Sequence, residues 1–260
     1  MAPIRRALVR RPTARLAEGL LTHLERTQVD VDLALAQWDG YVAALADHGW
    51  DVLEVPEAPG HPDAHFVEDT VVMHGTLAVI GRPGTPERRG EEEDVARVLR
   101  GLGYATAAIQ GPGSLEGGDV LKVGRTVYVG RSTRTTPGAV GQLRTLLTPR
   151  GADVIAVPTP HALHLKSALT ALPDGTIVGH SPLVGDPSFF PHYLDVPEAL
   201  GAPVVDLGEG RILMTAAASA TAALFADRGY EVVAVDISEF EKLEGCVTCL
   251  SVRLRASPTG

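Results

Sequence analysis

Four short stretches of this 260-residue chain combine titratable side chains with turn-forming glycines in a way that packing does not require. HPDAHFVEDT (61–70) places Asp63, Glu68 and Asp69 around a Phe-Val pair at the expected entrance of a strand. GPGSLEGGDVL (111–121) sets Glu116 and Asp119 in a glycine-rich loop ahead of a strand, and PHALHLKSALT (160–170) sets His161 and His164 just before a helix or strand. LEGCVTCLSVRL (243–254) holds both cysteines of the chain, Cys246 and Cys249. Carboxylates, an imidazole and a thiol are the groups of general acid–base and nucleophilic catalysis.

Each stretch also has a plainer interpretation. Asp and Glu mostly sit in solvated loops, and a lone histidine or a pair of small cysteines can be structural. A dinucleotide fingerprint in GPGSLEGG is disfavoured: the spacing departs from G-x-G-x-x-G, a strand follows where a helix is needed, and Glu116 would repel a pyrophosphate. A structural zinc site normally takes four Cys/His ligands, and the single C-x-x-C has no second one to pair with, so no metal is expected. A thioredoxin-like motif belongs at the start of a helix, whereas CVTCLSVRL alternates like a terminal strand. On such a strand Cys246 and Cys249, an odd number of positions apart, point to opposite faces and have different roles.

Composition narrows the partners. A net charge of −9 and the lack of a dense Lys/Arg block argue against nucleic acid or an anionic membrane surface, and suit a cationic small molecule. The Arg-rich opening MAPIRRALVRRPTARLAEGLL has the composition of a transit peptide but lacks the apolar run of a secretory signal. The longest apolar run, ILMTAAASATAALFA from Ile212, is shorter than the roughly 20 residues that span a bilayer. Only two cysteines in a chain of this length point to a reducing, cytoplasmic setting. No linker divides the chain, so a single domain over residues 1–260 is expected.

These stretches must be positioned by strands and helices, and one pattern recurs: a helical stretch, a glycine, then a β-branched strand. LADHGWDVLEVP, LRGLGYATAAIQ, LTPRGADVIAVP, EALGAPVVDLGE and FADRGYEVVAVD are five versions of it, with glycines at 49, 103, 151, 201 and 229. Most intervals are near one length, as in a propeller or array, and the last is about half as long. TVVMHGTLAVIGR and DVLKVGRTVYVGR read as hairpins, IRRALVRR as a first strand, and VDLALAQWDGYVAALADHG and PERRGEEEDVARVLRGLG as helices. Each unit thus joins a hairpin, a helix and a returning strand.

Taken in order, FVED, LEGGDV, LHLKS and TCLS form a set that resembles the dimethylarginine dimethylaminohydrolases of the guanidino-group-modifying superfamily, from about residue 5 to residue 254. The resemblance implies an α/β pentein fold, a five-bladed propeller of ββαβ repeats with pseudo-fivefold symmetry, and hydrolysis of methylated arginine to citrulline and a methylamine without a cofactor. It also implies roles for single residues. Cys249 would be the nucleophile, His164 the general acid/base, and Glu116 the support of that histidine and of the guanidinium. Asp63, Glu68 and Asp69 match substrate-side carboxylates, Arg88 and Arg134 a pair gripping the substrate carboxylate, and Leu20 and Leu243 positions whose carbonyls hold its ammonium. Cys246 is then a bystander. Arg82 and Arg89 rival Arg88 in this assignment, and the region between PVVDL and RILMTAAASA looks shortened, as if one blade were trimmed there.

The chemistry is consistent with these residue types. A guanidinium carbon is a poor electrophile, so a strong nucleophile and a cradle of negative charge are both required. A free thiol of pKa about 8.5 is mostly protonated at neutral pH, and a bound cation or His164 would have to offset that. An arginine deiminase-like hydrolase releasing ammonia is one alternative, although those enzymes are longer and resemble one another in an HLD motif where this chain has His164-Leu165-Lys166. The transferase branch is disfavoured by length. A non-catalytic arginine-binding pentein is another alternative, but a binding module needs no nucleophile. A homodimer is compatible with all of these.

Overall fold

The computed structural model describes residues 5–258, and its strands form five three-stranded sheets. β1 (Arg6–Val9), α1 (Val31–Asp47) and β2 (Asp51–Glu54) open the chain. Three full units follow: β3 (Val71–His74), β4 (Leu77–Ile80), α2 (Glu91–Gly101) and β5 (Ala105–Ala108); β6 (Val120–Val123), β7 (Thr126–Arg131), α3 (Pro137–Leu147) and β8 (Asp153–Pro158); and, after the single turn α4 (Leu165–Ala168), β9 (Leu169–Ala171), β10 (Ile177–Gly179), α5 (Ser181–Val184) and β11 (Tyr193–Asp195). The last unit is β12 (Val205–Gly208), β13 (Arg211–Thr215), α6 (Ser219–Asp227) and β14 (Glu231–Val235), after which α7 (Ser238–Glu241) leads to β15 (Val252–Leu254). In every sheet the middle strand runs antiparallel to the first and parallel to the third. β15 pairs with β1, so the two ends of the chain complete the fifth blade together.

Local sequence accounts for these elements. Asp30 caps α1 by accepting from the Leu33 amide at 3.0 Å, and Thr136 caps α3 with Pro137 in its first turn. Four acids, Glu91 to Asp94, open α2, where the helix dipole favours negative charge. Gly49, Gly103, Gly151 and Gly229 take φ of 80°, 87°, 83° and 90°, the left-handed conformation that ends a helix. Gly201 departs from the expected pattern. It ends a single 3-10 turn and leads into β12, the first strand of a blade, where the other four lead into third strands. The position equivalent to the missing junction is His192, at φ 59°, just before β11. The irregular spacing therefore has a different origin from the one anticipated: β12 and β13 are joined by Glu209-Gly210, as tight a link as Gly75-Thr76 or Gly124-Arg125, and the reduced blade is β9–β11, whose helix has only four residues.

The core lies in wedges between blades. The largest packs Trp38, Tyr41 and Leu45 of α1 against Leu207, Leu213, Phe240 and the segment 246–250, so the cysteine-bearing turn rests on a buried aromatic helix face. Burial of side chains this size contributes roughly 1.5–3 kcal/mol each. The first strands of the five sheets, β3, β6, β9, β12 and β15, line one central cavity. Among the described residues no helix is long and apolar enough to cross a membrane.

Candidate active site

The tight turns that precede four of those first strands carry the polar residues singled out above. A 3-10 turn, Val67–Thr70, holds Glu68 and Asp69 ahead of β3, and a second, Gly117–Asp119, follows Glu116 ahead of β6. His164 caps α4 ahead of β9, and the turn around Cys249 precedes β15. The propeller repeat thus delivers four unlike side chains to one end of the axis. A small pocket there is lined by Asp63, Asp69, Arg88, Arg134, His164 and Cys249, with Leu20 and Leu243 at its wall. The second glycine of LEGGDV is explained by proximity: a Cβ on Gly118 would lie 2.7 Å from the His164 ring and from Asp69 Oδ1.

His164 and Glu116 are buried and joined, Nε2 to Oε2, at 2.7 Å. Asp119, also buried, accepts from the Leu165 amide at 3.0 Å and from Ser132 Oγ at 2.6 Å, which fixes the turn that carries the histidine. Burial alone would push His164 down, but Asp69, the Glu116 hydrogen bond and Asp119 outweigh it and raise it to about 9. Burial would likewise push Glu116 up, yet His164, Arg88 and Arg134 hold it down at about 2. The pair is therefore an imidazolium–carboxylate at neutral pH, with Nδ1, 3.8 Å from Asp69 Oδ1, as the ring atom free to exchange a proton.

Around it lies a charge network. Arg88 donates to Asp69 at 2.8 Å and to Glu91 at 2.8 Å, and its guanidinium is held well above its ordinary value once burial is outweighed by Glu91, Asp69 and Glu116. Arg134 is less engaged: it donates to Thr22 Oγ1 at 3.0 Å and Thr85 Oγ1 at 3.4 Å, with Glu116 3.6 Å away. Asp63 accepts from the Leu20 amide at 3.0 Å and is pushed up by burial against the pull of Arg88. Asp69, Glu116 and His164 bring donor atoms within 4.8 Å of one another, types that also hold divalent cations. Here His164 is bonded to Glu116 and Asp69 to Arg88, so the positive charge among these carboxylates is the protein's own.

The cysteines overturn the strand expectation. Residues 247–250 form a turn, with the Cys249 amide donating to the Cys246 carbonyl at 3.0 Å, and β15 begins only at Val252. The side chains do not diverge to opposite faces: the two Sγ atoms are 3.1 Å apart, and Cys246 Sγ is also 3.3 Å from Thr248 Oγ1. Tyr41 of α1 braces the turn, donating to the Val247 carbonyl at 2.9 Å and lying 2.7 Å from Ser251 Oγ. The Cys249 thiol lowers Cys246 by hydrogen-bonding to it, whereas the same bond and burial hold Cys249 well up. One proton leaves the pair readily and the second with difficulty.

Of the site residues anticipated from sequence, Leu20, Asp63, Asp69, Arg88, Arg134, His164, Leu243 and Cys249 line this pocket; Glu116 lies fully buried behind His164, and Glu68 lies outside it. Glu68 instead pairs with Lys166 and, at 2.6 Å, with Arg253, and it faces the central cavity, so it separates the two spaces rather than lining the pocket. Arg82 donates to the Gly113 carbonyl and Arg89 is exposed; neither lines the pocket. His161, singled out with His164, is exposed and outside it. Sequence reasoning missed Phe66, Leu163, Glu244 and Gly245 of the wall and Glu91 behind Arg88. Glu91 carried a signal, since it lies three residues from Arg88 at a helix start. Glu244 carried none: its carboxylate gathers the amides of Thr22, His23 and Leu24 from a loop more than two hundred residues away.

No protein-family model matches the chain. It is 58% identical over 253 residues to the N(G),N(G)-dimethylarginine dimethylaminohydrolase of Streptomyces coelicolor, covering 97% of this chain and 98% of that one. Among solved structures, the enzyme of that name from Pseudomonas aeruginosa, a cysteine-to-serine mutant complexed with citrulline, superposes with a TM-score of 0.90 at 31% identity, over 96% of this chain and 99% of the other. A dimethylarginine dimethylaminohydrolase in which a histidine is replaced by glycine, captured as an adduct with S-methyl-L-thiocitrulline, superposes with a TM-score of 0.89 at 31% identity, over 96% and 100%.

Proposed function

The chain belongs to the dimethylarginine dimethylaminohydrolase family, and from that premise we propose that it hydrolyses the guanidino group of N-methylated arginine to citrulline and a methylamine, with Cys249 as nucleophile. The observation that carries this reading is the His164–Glu116 pair, 2.7 Å apart and buried, in the pocket that Cys249 lines. A binding protein would have no use for a proton held on a buried imidazole beside a thiol.

The steps follow from the charges. The substrate guanidinium enters beside Asp63 and Asp69, with the buried Glu116 behind His164, and these carboxylates favour a cation. Its positive charge beside Cys249 opposes the burial and negative neighbours that hold the thiol up, so thiolate forms when substrate is present. Sγ attacks the guanidinium carbon; His164, already protonated, gives its proton to the departing amine. The S-alkylthiouronium left on Cys249 is hydrolysed by a water that the now neutral His164 deprotonates, releasing citrulline and the thiol. Glu116 keeps the ring oriented through both transfers.

Arg134, whose hydroxyl partners are easily exchanged, suits the α-carboxylate at the pocket mouth, with Arg88 behind it. The carbonyls of Leu20 and Leu243 accept no hydrogen bond among the described residues and suit the α-ammonium. A homodimer is compatible with this reading, and sedimentation would detect it. Two free thiols fit a reducing, cytoplasmic setting.

The test is incubation of the purified protein with asymmetric dimethylarginine, monomethylarginine, symmetric dimethylarginine and arginine, measuring citrulline and released amine. We expect citrulline with dimethylamine or methylamine in equal amounts from the asymmetric and monomethyl substrates. Turnover of arginine alone would move the assignment to a deiminase, and no citrulline from any of them would overturn it.

A further inference from the structure

The mechanism uses one cysteine, yet the second lies against it. Cys246 and Cys249 are the two ends of one turn, closed by the Cys249 amide on the Cys246 carbonyl at 3.0 Å, with sulfurs 3.1 Å apart. Such a turn keeps its end Cα atoms within about 7 Å, which overlaps the span of about 4.4–6.8 Å that a disulfide bridges. Both side chains are buried at the edge of the apolar wedge, and among the described residues neither sulfur has a polar side-chain partner besides the other one and Thr248 Oγ1. Nothing holds them apart. Cys249 lines the pocket, so a small neutral solute that enters reaches the pair.

We propose that Cys246 and Cys249 form a peroxide-reactive dithiol: a hydroperoxide oxidises one sulfur, Cys246 and Cys249 close a reversible disulfide, and the nucleophile is thereby withdrawn. The balance is simple. Thiol and hydroperoxide give a sulfenic acid and the corresponding alcohol or water; the neighbouring thiol then attacks the sulfenic sulfur, an S–S bond forms, an S–O bond breaks, and water leaves. Two electrons pass from the two thiols to the peroxide, and a dithiol reductant returns them. The hydrogen bond from Cys249 holds the Cys246 thiol below its ordinary value, which favours thiolate, the form that peroxide attacks. By capturing a sulfenic acid at once, Cys246 also keeps Cys249 from irreversible sulfinic and sulfonic forms.

The proposal needs only the sulfur chemistry; its activity readout rests on the assignment of Cys249 as nucleophile, and the two are measured separately. Reduced protein, freed of reductant, is treated with equimolar hydrogen peroxide, then followed by intact mass, by free-thiol titration and by citrulline release. We expect the mass to fall by two hydrogens, both thiols to disappear together, citrulline release to be lost in proportion, and dithiothreitol to restore all three. Cys246→Ala and Cys246→Ser, checked for folding by circular dichroism in the reduced state, should instead gain one oxygen at equimolar peroxide and, with peroxide in excess, pass to sulfinic and sulfonic forms that stay inactive after dithiothreitol. Wild-type protein that gains oxygen without losing two hydrogens would overturn the proposal, as would Cys246 variants that recover like the wild type after excess peroxide. If the disulfide forms while citrulline release continues, the nucleophile assignment fails. A reduced protein that makes no citrulline is the separate failure of the proposed activity.

Discussion

His164 Nε2 lies 2.7 Å from Glu116 Oε2, and neither side chain has appreciable contact with solvent. Each group shifts the other toward its charged form against the opposing effect of burial, so the ring holds a proton at neutral pH, as the proposed role of His164 as general acid requires.

Glu116→Gln removes the charge but keeps the shape. His164 should then titrate nearer its ordinary value, so the alkaline limb of the kcat–pH profile moves to lower pH. General acid–base contributions of this kind are worth about 10²-fold or more in kcat. A profile with an unmoved alkaline limb, measured by citrulline release across pH, would remove Glu116 from its role.

The same pair links folding to pH. His164 is raised from 6.5 to about 9, so its contribution to stability is complete below its unfolded value and disappears as pH climbs through about 9. Glu116 is lowered from 4.5 to about 2, so its contribution is present above its unfolded value and disappears as pH falls toward about 2. Urea unfolding should therefore show stability falling between pH 6.5 and 9, a slope that His164→Gln reduces. An equal slope in that variant would mean that other groups carry it.

The two arginines should fail differently. Arg134→Ala loses side-chain hydrogen bonds to two hydroxyls and a 3.6 Å ion pair with Glu116, which keeps His164 and Arg88 as partners, so the protein stays folded while KM rises more than kcat falls, by the roughly 1.5–3 kcal/mol of a charged hydrogen bond. Arg88→Ala leaves Asp69 and Glu91 as buried, unpaired carboxylates, which costs about 3–5 kcal/mol of stability. Thermal melts and Michaelis kinetics on both variants check this; equal melting temperatures would contradict it.

Glu244 accepts from the amides of Thr22 at 3.0 Å and Leu24 at 2.7 Å, and from His23, gathering three successive N–H groups of the loop that carries Leu20 to the pocket. Thr22 also receives Arg134. Glu244→Ala should free the loop, raising amide hydrogen exchange at residues 22–24 and raising KM with little change in melting temperature. Exchange unchanged at those amides would show that the loop is held by other contacts.

Much of this was legible in the chain. The hairpins at Gly75 and Gly124 and the helices α1 and α2 follow from local periodicity, and three of the four chemistry-bearing turns lie where a polar motif meets a strand. Gly201 misled because a glycine between a short helical turn and a β-branched run looks alike whether it enters a first or a third strand, and only sheet partners distinguish them. Val247 to Val252 misled because alternating residues fit a strand equally well, while Tyr41, over two hundred residues away, braces the segment as a turn. Glu68, matched to the substrate-side carboxylates, faces another space because its direction is set by Lys166 and Arg253, which no local motif reveals.

The most direct test of the account is to quench the protein in acid during turnover of asymmetric dimethylarginine and locate any covalent adduct by peptide mass spectrometry. The account predicts an alkylthiouronium adduct on Cys249, absent in Cys249→Ser, which should also make no citrulline. An adduct on Cys246, or citrulline from the Cys249→Ser protein, would contradict it.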